Sequence, residues 1–297
     1  MAYLSLAEVE AVARAAHAGQ VDKAGQPYAE HLAAVAQGVR QTGGDQEQIA
    51  AAWLHDAIED DALTEEWLAA AALSPRTKAL VLAMTKQPGE DPRAYAARLR
   101  AVPGAVAVKE ADMRHNCRPD RLAALDPQTR VRLRQKYARM RRLLRWDPSA
   151  AEHRPTTPCP GDPGDAALLA RLDLRQTQAW ARLAAAVADW RVKDDDWGWP
   201  GGAHPAYGER VQAVVSALGG IGAVTPAYHW TAFPVPQLSW DDTYPPADAV
   251  RAATAVVRGE RFCDGTIGAA YEDGTLHAIA TALVAWYTAA AGAGQRS

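Results

Sequence analysis

The sequence predicts a mainly α protein, an all-α helical bundle followed by a second, mostly helical domain. Two observations predict the fold class and a third divides the chain. Apolar residues recur near every 3.6 positions through the first half, and alternation of the strand type is nearly absent. The segment RPTTPCPGDPGD, 154–165, separates two different compositions. Residues 1–150 hold 21 Lys and Arg against 19 Asp and Glu, whereas 151–297 hold 11 against 16, and seven of the ten tryptophans lie in the second part. A change of charge and aromatic content at one Pro-rich stretch reads as a linker. The domains are therefore placed at 1–150 and 166–297, with 151–165 between them.

The elements follow in order. Ala/Val/Leu periodicity predicts helices over 4–18 and 30–41, and Gly43–Gly44 ends the second of them. A third helix, with an acidic first turn, is predicted over 45–59. Pro127, at a first helical position after Asp126, opens a helix carrying Arg130, Arg132, Arg134, Lys136, Arg139, Arg141, Arg142 and Arg145. In the second half, helices are predicted over 165–190, 207–219, 246–258 and 274–290. Loops such as WGWPGG, 197–202, and short apolar segments such as 221–224 leave room there for a small sheet.

A chain of 297 residues that is 48% hydrophobic is long enough for two ordinary cores, which excludes a disordered, collagenous or disulfide-stapled class. Cys117, Cys159 and Cys263 lie dozens of residues apart, so no zinc ribbon, redox CxxC or disulfide framework is readable. The N-terminus lacks a basic leader with an apolar core, and no run of about 18 apolar residues occurs. The expectation is a cytoplasmic protein that does not enter a membrane.

HDAIED, His55 to Asp60, is the most specific feature. It lies in the apolar-periodic segment IAAAWLHDAIEDD, where a helix would put His55 with Glu59, and Asp56 with Asp60, on related faces. So many ionisable groups beside Ala, Trp and Leu would cost roughly several kcal/mol if buried unpaired. A cation removes the difficulty, and adjacent His and Asp offer the mixed nitrogen and oxygen donors that suit Mn²⁺, Fe²⁺ or Zn²⁺. The turn at Gly25–Pro27 delivers Tyr28 and His31 to the start of an apolar helix, and Asp112 ends the apolar run of AVAVKEADMRHN. His31, His55, Asp56 and Asp112 thus make a two-His, two-carboxylate set with open positions for water and a phosphate oxygen. Glu59 and Asp60, one turn beyond, are placed to orient or deprotonate an attacking water. A lone histidine such as His17 reads as structural.

AHAGQVDKAGQPYAEH (16–31), AAWLHDAIED (51–60), the segment 85–95 and VKEADMRHN (108–116) together resemble the HD-domain metal-dependent phosphohydrolases. Within that group they are similar to the RelA/SpoT-type hydrolase domain and the small alarmone hydrolases. The resemblance covers about 4–144 and implies an all-α HD domain, with manganese as the metal and Mg²⁺, Fe²⁺ or Zn²⁺ as alternatives. It implies metal ligation by His31, His55, Asp56 and Asp112, and a catalytic acidic pair at Glu59–Asp60. It also implies substrate contact at Asn116, with Lys23 beside the nucleotide base or its phosphates. The activity implied is a nucleotide pyrophosphohydrolase that removes the 3′-pyrophosphate of the alarmone (p)ppGpp, in the stringent response. Arg114, with Arg118 and Arg121, follows Asp112 closely, and guanidinium groups suit pyrophosphate. Tyr28 joins the candidate substrate contacts.

The pair Asp22–Lys23 stands where the alarmone hydrolases usually carry Arg-Lys, a change of about two charge units near the expected nucleotide that would disfavour a polyphosphate. A phosphatase on another nucleotide, for instance an NADPH 2′-phosphatase, is the alternative within the class. A nucleotide-sensing or antitoxin-like binding protein is the alternative outside it. The basic run 130–145 has Tyr137 as its single aromatic in a chain of net charge −3, which argues against nucleic acid as partner. The second half, through ERFCDGTIGAAYEDGTLHAIATALVAWY (260–287), is similar to a bacterial domain family of unknown function. Its tryptophan-bearing loops are a candidate surface for a protein partner.

Overall fold

Ile49, Ala50, Ala51, Ala52, Trp53 and Leu54 are six consecutive buried residues on one short helix, and they organise the first half of the molecule. The computed structural model describes residues 3–22, 25–145, 162–200, 204–233, 235–238 and 243–294. The chain divides into two units, Met1–Arg145 and Trp146–Ser297. Most of the linker expected at 151–165 lies outside the described residues.

In the first unit, α1 (Leu6–Ala16) is opened by a reciprocal capping box between Ser5 and Glu8. Helix α2 (Tyr28–Gln41) follows a loop pinned by the bridge between Val21 and Pro27. Helix α3 (Gln46–Leu54) carries a second capping box, Asp45 with Gln48. It packs against α1, α2, α5 (Pro75–Met84) and α7 (Ala105–Asn116), which explains why it is apolar on all sides. Helices α4 (Glu65–Ala70), α6 (Pro92–Ala101) and α8 (Pro119–Ala123) are short. Helix α9 (Pro127–Arg145) lays Leu133, Tyr137, Met140, Leu143 and Leu144 on the core, against α6 and α7, with Arg132 and Arg145 exposed and the other arginines partly buried along its sides.

One expectation is corrected here. HDAIED does not continue the helix: α3 ends at Leu54, and 55–61 form turns with Asp61 in the left-handed region at φ 55°. The cause is local, because His55 Nδ1 takes the Ala52 carbonyl at 2.7 Å, an oxygen that the continuing helix would have used.

The second unit contains α10 (Asp165–Leu169), α11 (Thr177–Ala188), α12 (Glu209–Gly220), α13 (Pro246–Gly259), α14 (Thr266–Glu272) and α15 (Thr275–Gly294). The expected helix over 165–190 is broken, since Asp173 turns the chain by accepting Arg175 N and offers its own carbonyl to the Trp180 indole at 2.9 Å. The small sheet is a two-residue antiparallel ladder, β1 (Trp197–Gly198) with β2 (Ala206–Tyr207), pairing Trp197 with Tyr207 and Gly198 with Ala206. Helix α13 forms the centre, packed by α10, α14 and α15. Its Arg251 is buried and bonds Asp162, Asp165 and Asp248.

Candidate metal centre

Three elements of the first unit converge on one point. His31 comes from the first turn of α2, His55 and Asp56 from the cap and turn that follow α3, and Asp112 from the last turns of α7. His31 and His55 are 3% and 0% exposed, and Asp112 is 4% exposed. The two Nε2 atoms lie 3.3 Å apart. Asp112 Oδ1 is 3.5 Å from His31 Nε2 and 3.9 Å from His55 Nε2, while Asp56 Oδ2 is 3.5 Å and 2.9 Å from the same two atoms. Ligand atoms of His31, His55 and Asp112 all lie within 4.8 Å of one another, compact enough for one cation.

The surrounding hydrogen bonds fit a metal. His55 gives Nδ1–H to Ala52, which leaves Nε2 as the atom directed at the centre. His31 Nδ1 lies 2.7 Å from His115 Nδ1. Burial, the nearby His31 and the Arg121 and Arg118 guanidiniums push His115 down to about 4, so it is a neutral ring that can accept a proton donated by His31 Nδ1. A cation taken by His31 Nε2 would leave that ring's proton on Nδ1, where His115 can receive it. Two buried imidazole Nε2 atoms and two carboxylates gathered at one point are the donor set a divalent cation takes up once those nitrogens are deprotonated.

The carboxylates are held from behind. Lys109 Nζ bonds Asp112 Oδ2 at 2.8 Å, and Asn116 Nδ2 bonds Asp112 Oδ1 at 2.5 Å. Tyr28 donates its hydroxyl to Asp56 Oδ2 at 2.7 Å. Against the burial that would raise them, the imidazoles hold Asp56 and the Lys109 ammonium holds Asp112 below the ordinary carboxylate range. Burial opposes the Lys109 charge, but Asp112 overcomes it and raises the amine well above its usual value. Burial also opposes the His55 charge, yet Asp56 and Asp112 bring that group up to about 9.

The acidic pair sits on the turns that follow. Burial and the neighbouring Asp56 raise the Asp60 carboxyl. Glu59 accepts Lys86 N at 3.0 Å and borders a cleft of about 440 Å³ with Thr85, Lys86 and Pro88.

The expected substrate contacts fare differently. Tyr28 and Asn116 hold Asp56 and Asp112, so they touch the carboxylates directly. Arg114 is exposed, and two positions beyond Asp112 it lies about 200° round α7, directed away from the centre. Lys23 lies outside the described residues. Asp22 is not the bare anion expected: Arg121 Nη1 bonds its Oδ2 at 2.6 Å, with the Asp22 side chain 4% exposed.

Two residues that sequence reasoning quoted without assigning, Lys109 and His115, belong to this centre. The signal was their spacing, three before and three after Asp112 on one helical face.

Comparison with known proteins finds a family match in each half of the chain. Residues 10–103 match the HD domain, and residues 175–289 match a family of unknown function, DUF6508. The chain is 35% identical over 129 residues to a probable guanosine-3′,5′-bis(diphosphate) 3′-pyrophosphohydrolase of Synechocystis, covering 39% of this chain and 16% of that protein. It is 49% identical over 57 residues to a guanosine-3′,5′-bis(diphosphate) 3′-pyrophosphohydrolase of Haemophilus influenzae, covering 19% of this chain and 8% of that protein. The chain thus spans less than a fifth of either relative's length. Among the described residues, no helix is long and apolar enough to cross a membrane.

Proposed function

We propose that the first unit is a metal-dependent phosphohydrolase acting on a phosphorylated or pyrophosphorylated nucleotide, with Mn²⁺ as the metal. The leading substrate is (p)ppGpp, cleaved to GDP or GTP and pyrophosphate in the cytoplasm. The observation that carries the reading is the convergence of His31, His55, Asp56 and Asp112, with Glu59 and Asp60 on the adjoining turns. Similarity to two pyrophosphohydrolases supports the alarmone as substrate.

A cation held by those four residues would lower the pKa of a bound water and polarise a phosphoryl oxygen. The chain's own groups do the rest. Lys109 and Asn116 fix Asp112, His115 fixes the tautomer of His31, and Tyr28 fixes Asp56. Asp60, held partly protonatable by burial and by Asp56, takes the proton of the attacking water, while Glu59 orients that water from the cleft side. Lys23 is assigned to the nucleotide. The Arg121–Asp22 pair offsets the negative charge that stands where the alarmone hydrolases carry a cation.

Incubating the purified chain with Mn²⁺ and ppGpp tests the reading, with released pyrophosphate and GDP as the expected products. Turnover of NADPH or another nucleotide without turnover of ppGpp rejects the alarmone and keeps the phosphohydrolase. Nucleotide binding without turnover of any member of the panel favours a sensor instead.

A further inference from the structure

Glu59 is held by a neighbouring loop: its Oε2 accepts the Lys86 amide at 3.0 Å, from the segment that follows α5. That bond uses one carboxylate oxygen and leaves the other for the water that Glu59 orients. Where the Lys86 N–H points is set by how the chain leaves α5. A helix ends on carbonyls that lack intrahelical partners, and the groups that take them fix the exit.

Two side chains of α6 take four such carbonyls in succession. Arg98 Nη1 donates to Leu82 O at 2.6 Å and to Ala83 O at 3.0 Å, and its Nη2 donates to Thr85 O at 2.8 Å. The Tyr95 hydroxyl donates to Met84 O, between them, at 2.6 Å. Glu90 closes the loop from its far end, where its carboxylate accepts Arg98 Nε at 3.0 Å, Arg98 Nη2 at 2.7 Å and the Gln87 amide at 3.1 Å. One planar guanidinium thus spans both ends of the segment 82–90, with the Lys86 amide between its anchors. The Tyr95 ring, its centroid 5.2 Å from Arg98 Cζ and 5.5 Å from Lys109 Nζ, joins this loop to the residue that holds Asp112.

We propose that Arg98 is a positioning residue for the reaction, acting on Glu59 through the Lys86 amide. The inference rests on the phosphohydrolase reading. The bonds of Arg98 go to the loop and to Glu90, so it works by keeping the Lys86 N–H aimed at Glu59 and not by contact with reacting atoms. Without the guanidinium, the carbonyls of Leu82, Ala83 and Thr85 turn to water, which satisfies each of them but ties none to the others. The exit from α5 then loses its common anchor, Glu59 loses its amide donor, and the carboxylate beside the cleft no longer holds one orientation.

The test uses the full chain with Mn²⁺ and ppGpp. In R98Q, kcat is expected to fall by about 100-fold while KM changes by less than about twofold and Mn²⁺ affinity is unchanged. R98K, which keeps the charge but cannot span three carbonyls, is carried beside it so that the reading does not depend on one variant's folding, and its kcat falls in the same direction. In an E59Q background R98Q costs less than about a further twofold, because the group it acts through has already been removed. Wild-type rates in R98Q and R98K overturn the role of Arg98. So does a loss that persists in full in E59Q or that comes with weakened Mn²⁺ binding, which is what damage to the fold would give. A wild-type chain that binds Mn²⁺ yet hydrolyses no nucleotide overturns the phosphohydrolase reading, a result distinct from wild-type turnover that survives R98Q. Amide hydrogen exchange supplies a readout free of activity: Lys86 is expected to exchange about tenfold faster in R98Q and R98K, with the amides of α3 and α7 unchanged. Unchanged exchange at Lys86 overturns the proposal whatever the substrate.

Discussion

His115 Nδ1 lies 2.7 Å from His31 Nδ1, so the two rings must hold opposite protonation at that contact. His115 is pushed down to about 4, mainly by burial, so it is a neutral ring able to accept the Nδ1–H that His31 carries once a metal takes its other nitrogen. Replacing His115 by Ala removes the group that fixes this tautomer. Mn²⁺ affinity is expected to fall by about 10- to 100-fold, measured by calorimetry, with the helix content unchanged. Undiminished affinity would mean that the contact has no part in metal binding.

Asp112 is tied to Lys109 through Oδ2 and to Asn116 through Oδ1. Lys109→Met leaves a buried carboxylate without its cation in the metal-free protein. Stability of that form is expected to drop by about 3 kcal/mol in urea unfolding, and saturating Mn²⁺ should recover part of the loss, because the metal supplies positive charge to the same group.

Metal binding should depend on pH with a definite sign. In the metal-free protein His55 titrates at about 9, and with Nδ1 given to Ala52 the titrating proton is on Nε2, the atom a metal would use. Below pH 9 the metal must displace that proton. Affinity is expected to rise by about tenfold per unit from pH 6.5 to 8.5, with about one proton released per Mn²⁺ bound at pH 7. A flat affinity across that range would contradict the assignment.

The Arg121–Asp22 pair closes the loop before α2, with Asp22 also accepting Gln26 N at 3.0 Å. Arg121→Met should destabilise the first unit by about 3 kcal/mol, since it leaves a nearly buried carboxylate without that cation. Adding Asp22→Asn should return most of the loss, and denaturant titration of the single and double variants measures the difference.

In the second unit, Gly268 lies beneath the Trp197 indole, and a Cβ there would stand 2.2 Å from Trp197 Cδ2 and Cε3. Gly268→Ala is expected to destabilise that unit by about 3 kcal/mol and to redshift tryptophan emission, without changing Mn²⁺ affinity.

Much of the fold was legible because it is written locally. The 3.6-residue spacing, the capping pairs Ser5–Glu8 and Asp45–Gln48, and Pro127 at a first helical position each act within a turn or two. The break at Asp173 escaped periodicity, because the apolar pattern continues across a turn that side-chain bonds impose.

The candidate ligands His31, His55, Asp56 and Asp112 were likewise readable, since burying such groups in apolar segments calls for a cation. Where HDAIED leaves the helix was decided by a single imidazole-to-carbonyl bond that no pattern encodes. The partners of the centre were out of reach for a stronger reason. His31 meets His115 across 84 positions and Asp22 meets Arg121 across 99, and spacing along a chain carries no information about such pairs. By itself, then, the sequence determined a helical fold and the residue types of a candidate metal centre. Only packing decided which neighbour orients each ligand, because tautomer, charge pairing and burial arise from groups that folding alone brings together.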